Sequence, residues 1–334
     1  MISKRGNSTL LAFLCAILII SFAYNSLAAE EQIKKFEIGS GSMGGIYYVS
    51  GNAIANVLQK KLDLKIPITA SATEGSAENI ALLDQNRIQA GTVSSNGLYT
   101  AWEGKKPYKK KHTDLRMLMQ VFPNPTVFFA LASNKITKLS ELKGKRIGAG
   151  SGPSTWDILT GPFLEAHGID YKTDVKKVYG SWEDLCNQVG DGLLDASIGN
   201  VSGGVSLMPA IYALATEKKV NYLEWDPKAL ETLPAKYPYF SKLTVPASSL
   251  PGRTGDYTTL DIGSQTLVVR EDMSEELAYK VTKTIHKNLG DLLASAKFFK
   301  YISDNPKFMT SKLGDIKFHP GAIKYWKEAG LWQN

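Results

Sequence analysis

Five short segments of this chain carry the residue types best suited to hold a small charged molecule. They are 39–45 (GSGSMGG), 73–76 (TEGS), 94–97 (SSNG), 148–155 (GAGSGPST) and 199–204 (GNVSGG). Glycine lets a backbone approach a ligand closely, and serine and threonine add short, directional donors. Each segment follows an apolar, β-prone stretch, which is where ligands bind in open α/β sheets. Helices that begin in such loops expose unpaired N–H groups and a partial positive charge of roughly +0.5. Several helix starts facing one cleft bind an anion without a buried Arg or Lys. Ser76 and Ser154 stand where N-caps are expected, and Asp157, three residues after Ser154, comes close to a capping box. Tyr47, Tyr48, Trp156 and Trp182 fall just inside the helices that start at these loops and are candidates for the cleft walls. Glu74 is the one acid in a candidate loop; it meets a ligand amine or is a solvated residue of a helical first turn.

Other chemistries are excluded by spacing. Residues 39–44 fit G-x-G-x-x-G, but no acidic residue closes the second strand to hold a ribose. His112, His167, His286 and His319 lie far apart, and none has metal-ligand spacing with another His or Cys. Ser151 sits in Gly-Ser-Gly rather than in G-x-S-x-G. No catalytic set, metal or cofactor is expected, and the chain reads as a binding protein rather than an enzyme.

Strands and helices that would position these loops alternate along the chain. Residues 35–38, 66–72 and 89–93 read as strands, with helices over 45–61 and 76–87 between them. The pattern restarts at 126–132 and continues with a short helix at 139–142, strands at 145–148, 174–179 and 196–198, and helices from 154 and 182. A second β-prone run at 260–269 leads into a helical C-terminal region from 274. The expected fold is α/β with two lobes joined by two extended crossings, near 124–132 and 257–269, and the ligand cleft between them. One lobe is discontinuous, 29–125 with 257–334; the other is 126–256.

Lys4 and Arg5 precede an apolar run over 10–22, and Ser26-Leu27-Ala28 offers small residues for a signal peptidase. A secretory signal peptide over 1–28, cleaved near Ala28, is expected, with the mature protein in the periplasm. The net charge of +7 would fall to +5 with Lys4 and Arg5 removed. The densest basic cluster, Lys105, Lys106, Lys109, Lys110 and Lys111, reads as a solvated loop, and no nucleic-acid motif accompanies it. Cys186 would be the only cysteine of the mature chain, so no internal disulfide forms; it reads as a small buried apolar group.

In order along the chain, residues 41–48 (GSMGGIYY), 72–79 (ATEGSAEN), 139–148 (LSELKGKRIG), 236–240 (KYPYF), 245–247 (VPA), 251–252 (PG) and 319–322 (HPGA) resemble the TAXI family. These are the TRAP-associated extracytoplasmic immunogenic receptors, and the resemblance covers nearly the whole mature chain. It implies a type II periplasmic binding fold that closes on a small organic acid or amino acid of glutamate or 2-oxoglutarate type. It also implies delivery of this ligand to TRAP membrane permease subunits driven by an ion gradient; the protein itself is expected to be a monomer. Carried over position by position, ligand contacts would come from Ser42, Tyr47, Thr73, Gly75, Ser76, Ser94, Ser95, Ser151, Gly152, Ser154 and Thr155; the loops themselves add Met43 and Asn200. Glu74, the Ser94-Ser95-Asn96 sequence and Trp156 depart from the residues common in that family, so the pocket chemistry differs. A binding protein of an ABC importer and a periplasmic ligand sensor are the alternatives. An enzyme on this scaffold would need an acid, base or nucleophile in the cleft.

Overall fold

The structure, a computed structural model, describes residues 34–43, 45–150 and 155–333. The expected signal peptide lies outside them.

The first lobe is built from β1 (Phe36–Gly39), α1 (Ile46–Lys61), β2 (Ile68–Ser71), α2 (Ser76–Asp84), β3 (Ala90–Ser94), α3 (Ser95–Trp102) and β4 (Leu115–Phe122). Its core takes Ala53, Ile54, Val57 and Leu58 from α1, spaced so that one helical stripe faces the sheet. The second lobe follows with β5 (Thr126–Leu131), β6 (Arg146–Gly148), α4 (Thr155–Glu165), β7 (Lys176–Val178), α5 (Trp182–Gly190) and β8 (Ala196–Ser202). It continues with β9 (Ser206–Leu207), α6 (Pro209–Glu217), β10 (Val220–Tyr222), α7 (Pro227–Lys236), β11 (Ser241–Val245) and β12 (Tyr257–Asp261). The chain then re-enters the first lobe as β13 (Gln265–Arg270), followed by α8 (Glu275–Lys287), α9 (Leu289–Ser295), α10 (Lys300–Asp304) and α11 (Pro320–Glu328).

Each lobe has its own sheet. The first runs β2-β1-β3-β13-β4, the second β10-β5-β8-β6-β7 with β9 paired to β8; β11 and β12 form a separate ribbon. Within the first sheet β1 is parallel to β2 and β3, whereas β13 is antiparallel to both β3 and β4. Both sheets are therefore mixed, because each crossing strand enters its lobe against the direction of the βαβ units.

The two cores are separate. In the second, Phe128, Phe163, Trp225 and Phe240 stack edge-on or tilted, and the Trp225 indole donates to the Tyr257 hydroxyl at 3.1 Å. Tyr257, Leu260 and Ile262 belong to this second core, and Leu267, Val268 and Val269 to the first, so the return crossing occupies only the few residues between. The outward crossing is as short, between Phe122 and Val127. At the C-terminal end α11 packs on α8, with Trp326 fully buried and its indole N–H donating to the Leu118 carbonyl at 2.9 Å.

The lobes touch beside the crossings. Residues 201–203 run along the outward passage, where Val201 N–H donates to the Pro125 carbonyl and Gly203 N–H to the Pro123 carbonyl, both at 2.8 Å. Gly203, at φ +63°, also lies against the backbone of Phe298 in the first lobe. A second contact joins Tyr99 and Tyr239, whose ring centroids are 5.4 Å apart.

Candidate functional site

The loops after β1, β2 and β3 lie side by side because their strands are neighbours in one sheet. They differ in how their helix starts are satisfied. Helix α1 has Gly45 as N-cap, with no side-chain cap and no acidic residue in its first turn. Helix α2 also has a glycine cap, Gly75, at φ +103°, a conformation in which a side chain would be strained. Its surroundings are less free, since Glu78 in its first turn accepts from the Glu74 N–H at 2.7 Å. Glu74 itself is exposed. Helix α3 is capped by Ser94, whose hydroxyl accepts from Gly97 N–H at 3.3 Å.

Three of the expected contact hydroxyls, those of Thr73, Ser76 and Ser94, are thus already engaged. Ser76 Oγ lies 3.1 Å from Ser94 Oγ and accepts from Ser94 N–H at 3.0 Å. Thr73 is buried, and its hydroxyl accepts from Gly75 N–H at 3.2 Å. Ser42 and Met43 are exposed in the turn before α1, Met43 at 78 %. Ser95 is buried, with its N–H on the Ser264 carbonyl at 2.8 Å. Ser94→Ala removes both an N-cap and the partner of Ser76; a loss of about 1 kcal/mol in urea unfolding is expected.

Tyr47 and Asn200 meet through residues that the sequence reading did not single out. From the first turn of α1, Tyr47 places its hydroxyl 3.5 Å from Asn124 Nδ2, with its ring edge-on to Phe122. Asn124, on the outward crossing, also donates to the Gly263 carbonyl at 3.1 Å. Its Oδ1 accepts from Asn200 Nδ2 at 3.3 Å, and Asn200 donates on to Ser202 Oγ at 2.9 Å. The chain Tyr47–Asn124–Asn200–Ser202 therefore runs from one lobe through the crossing into the other.

Asp261 anchors the same crossing. Its Oδ1 accepts from Asn124 N–H at 2.8 Å and Gly263 N–H at 3.0 Å, while Ser264 donates its hydroxyl to Oδ2. It is 1 % exposed. Burial pushes its carboxyl up to about 6, although the Ser264, Asn124 and Gly263 bonds pull the other way. Burial, with the nearby Asp261, also raises the Tyr47 phenol. Three buried polar atoms close by, Gln120 Oε1, Thr126 Oγ1 and Gln265 Nε2, have no hydrogen-bond partner among the described residues. Such groups are costly in a rigid interior, about 1–3 kcal/mol each. The only advance signals for this cluster were the Pro123-Asn124-Pro125 sequence and an acid, Asp261, near the start of the β-prone run at 260–269.

A cavity of about 230 Å³ opens between the lobes at the crossings, lined by Ser95, Gln120, Asp261 and Ser264, by 238–241 and 243 from the second lobe, and by 308 and 311–313. Of the expected contact residues it shares only Ser95. The remaining expected residues of the second lobe, Ser151, Gly152 and Ser154, lie outside the described residues; Thr155 opens α4. Trp182 opens α5 and packs partly buried against the second core. Cys186 is buried, which pushes its thiol up to about 12.

Among the described residues at this crossing, no nucleophile stands with a base. Asp261 has the raised carboxyl of a general acid, but its oxygens are taken up by three donors, and the groups around it are amides, hydroxyls and a phenol. What the arrangement can do is hold polar groups of a ligand at the junction of two lobes.

Two mixed sheets, two cores and two short crossings are the fold of periplasmic binding proteins. A periplasmic sulfonate-binding protein, SsuA of Methylobacillus flagellatus KT, assigned to a sulfonate ABC transporter, aligns with 90% of this chain and 89% of its own. Its TM-score is 0.51 at 13% identity. A Xanthomonas citri protein bound to chloride ion aligns with 89% of this chain and 97% of its own, with TM-score 0.51 at 11% identity. The alkanesulfonate-binding protein SsuA of Xanthomonas axonopodis pv. citri, bound to MOPS, aligns with 90% and 80%, with TM-score 0.43 at 16% identity. Residues 38–330 match the model of the NMT1-like family, and the chain belongs to that family. The finer TAXI likeness rests on the motif blocks alone.

Proposed function

We propose that this chain is an exported solute-binding protein that captures a small organic anion between its lobes and hands it to a membrane importer. The start of α1 carries the reading. Its glycine cap leaves first-turn N–H groups without a side-chain partner, and no carboxylate stands in that turn. Tyr47 in the same turn reaches Asn124, and through it Asn200 of the second lobe. An anion bound there adjoins the crossing, so ligand binding and lobe closure share residues. The proposed contacts are Ser42, Met43, Tyr47, Thr73, Gly75, Ser76, Ser94 and Ser95 of the first lobe with Ser151, Gly152, Ser154, Thr155 and Asn200 of the second. Ser76 and Ser94 reach a ligand only by exchanging the bonds they make to each other.

The importer is read as one of ABC type and the ligand as a sulfonate. Support comes from the sulfonate-binding protein of Methylobacillus flagellatus KT, whose fold matches along 90% of this chain. A second reading, an organic acid of glutamate type delivered to a TRAP permease, is favoured by the blocks at 41–48, 72–79 and 236–240.

A thermal-shift series on refolded mature protein separates the two. Alkanesulfonates, dicarboxylates, 2-oxo acids and amino acids are the ligands to compare. Binding at a hundredfold excess over Kd adds about 2.7 kcal/mol to stability. The ABC reading expects the shift with an alkanesulfonate, the TRAP reading with glutamate or a 2-oxo acid. No shift with any organic anion overturns the anion-binding proposal.

A further inference from the structure

Away from the cleft, α2 ends at Asp84 against the loop that carries His112 and Asp114. One side-chain ligand atom from each of Asp84, His112 and Asp114 lies within 4.8 Å of the other two. His112 is a buried ring, 8 % exposed at its side chain, and its Nδ1 has no hydrogen-bond partner among the described residues. That nitrogen points toward the cluster, 3.8 Å from Asp84 Oδ1. The separation is too long for a hydrogen bond. It is close to the roughly 3.4 Å between two donors that share one tetrahedral ion with bonds of about 2.1 Å. A cavity of about 260 Å³, lined in part by Asp84, Tyr108 and His112, adjoins two of these three residues.

We propose that Asp84, His112 and Asp114 form a binding site for a divalent transition-metal ion of the Zn²⁺ class. One imidazole nitrogen with two carboxylate oxygens is a mixed N/O set that suits Zn²⁺, whereas Mg²⁺ and Ca²⁺ take oxygen ligands alone. The carbonyl end of α2, where Asp84 is the last residue, adds a partial negative charge. Backbone bonds hold the other two positions: His112 N–H donates to the Ala101 carbonyl at 2.9 Å, and the Asp114 carbonyl accepts from Glu271 N–H at 2.7 Å. Two cations face the site. Lys110 Nζ donates to Asp84 Oδ1 at 2.6 Å, and Arg270 Nη1 lies 3.5 Å from Asp114 Oδ2 while it also pairs with Asp272. Lys110 is 61 % exposed on a flexible stem and is the group the ion displaces.

The pairing of His112 with carboxylates 28 and 2 positions away escaped a reading that compared histidines only with other histidines and cysteines. The test is calorimetric titration of the chelator-stripped full-length mature protein with ZnCl₂, with MgCl₂ as comparison. One Zn²⁺ per chain is expected and no heat from Mg²⁺. Affinity falls at least tenfold in His112→Ala and in Asp84→Asn, and stays within twofold in His286→Ala, a histidine outside the cluster. Lys110→Ala, an exposed change that leaves the core intact, binds more tightly because the competing ammonium is gone. Zn²⁺ binding of unchanged affinity in His112→Ala, or no Zn²⁺ binding by either the wild type or Lys110→Ala, overturns the proposal.

Discussion

Asp261→Asn changes how stability varies with pH between about 4 and 6, and above pH 6 it stabilises the protein by up to ~3 kcal/mol. The folded carboxyl sits near 6 because it is buried, while an unfolded one titrates near 3.9. Between those values the folded state keeps a proton that the unfolded state has lost, so this group's contribution falls as pH rises through the window. About two units at 1.36 kcal/mol each set the ceiling. Asparagine preserves the geometry: its carbonyl oxygen can take the two N–H bonds that Oδ1 accepts now, and its amide can donate to Ser264. The histidines act in the opposite direction. Burial lowers His112, His167, His286 and His319, so each costs stability as pH falls below about 6.5. The informative quantity is therefore the variant minus the wild type in urea unfolding at each pH, which cancels the histidines. A difference that stays flat from pH 4 to 7 would mean that Asp261 is ionised in the fold like an ordinary carboxylate. Asp261→Ala is the companion change: it strands the Asn124 and Gly263 N–H groups and is expected to cost about 2–5 kcal/mol.

The sequence made the βαβ half of each lobe legible and concealed the rest, for physical reasons. Residues 45–61 announce a helix because one apolar stripe faces a sheet and the other face meets water. Strand β4 carries no such signal. Seven of its eight residues are buried, so its two faces do not alternate, and Leu115, Met117, Leu118 and Met119 are residue types that favour helices as readily as strands. Helix α3 was hidden in a loop reading because Ser94-Ser95-Asn96-Gly97 looks like a turn; the structure uses Ser94 as its N-cap. For the site, loop composition pointed at positions near strand ends but not at bonding state. Ser76 reads as an N-cap and Ser94 as a loop donor in sequence, but Gly75 takes the cap position of α2 and the two hydroxyls bond to each other in the fold. Asn124 and Asp261 are 137 positions apart, and only the crossing of the two strands brings them to one hydrogen bond. Long-range polar pairs of this kind leave no periodicity to read.

Gly203→Ala is expected to lower stability by about 2–5 kcal/mol, and Gly204→Ala by only about 1 kcal/mol. Both glycines have positive φ, +63° and +71°, so both variants pay the left-handed backbone cost, about 1 kcal/mol. Only one meets an obstacle. A Cβ on Gly203 would stand inside van der Waals contact of the Phe298 carbonyl oxygen and 2.9 Å from its Cα, whereas one on Gly204 would find nothing closer than Tyr301 at 3.9 Å. Backbone cannot rotate away as a side chain can, so the 203 variant must shift the turn or part the lobes. The turn is held on the outward crossing by the Gly203 N–H bond to Pro123, which resists the first option. Phe298 in turn packs on Phe122 at 4.6 Å, directly before that crossing. The excess cost of the 203 variant over the 204 variant thus measures how firmly the second lobe is seated beside the hinge. Equal costs, with unchanged small-angle scattering, would mean that this contact opens freely and that the lobes pivot about a point farther along the crossings. A large excess with a wider scattering profile would fix the pivot at residues 123–125 and 262–264, where Asn124 and Asp261 already hold both strands, and would leave the far ends of the two lobes as the part that moves when a ligand is taken up.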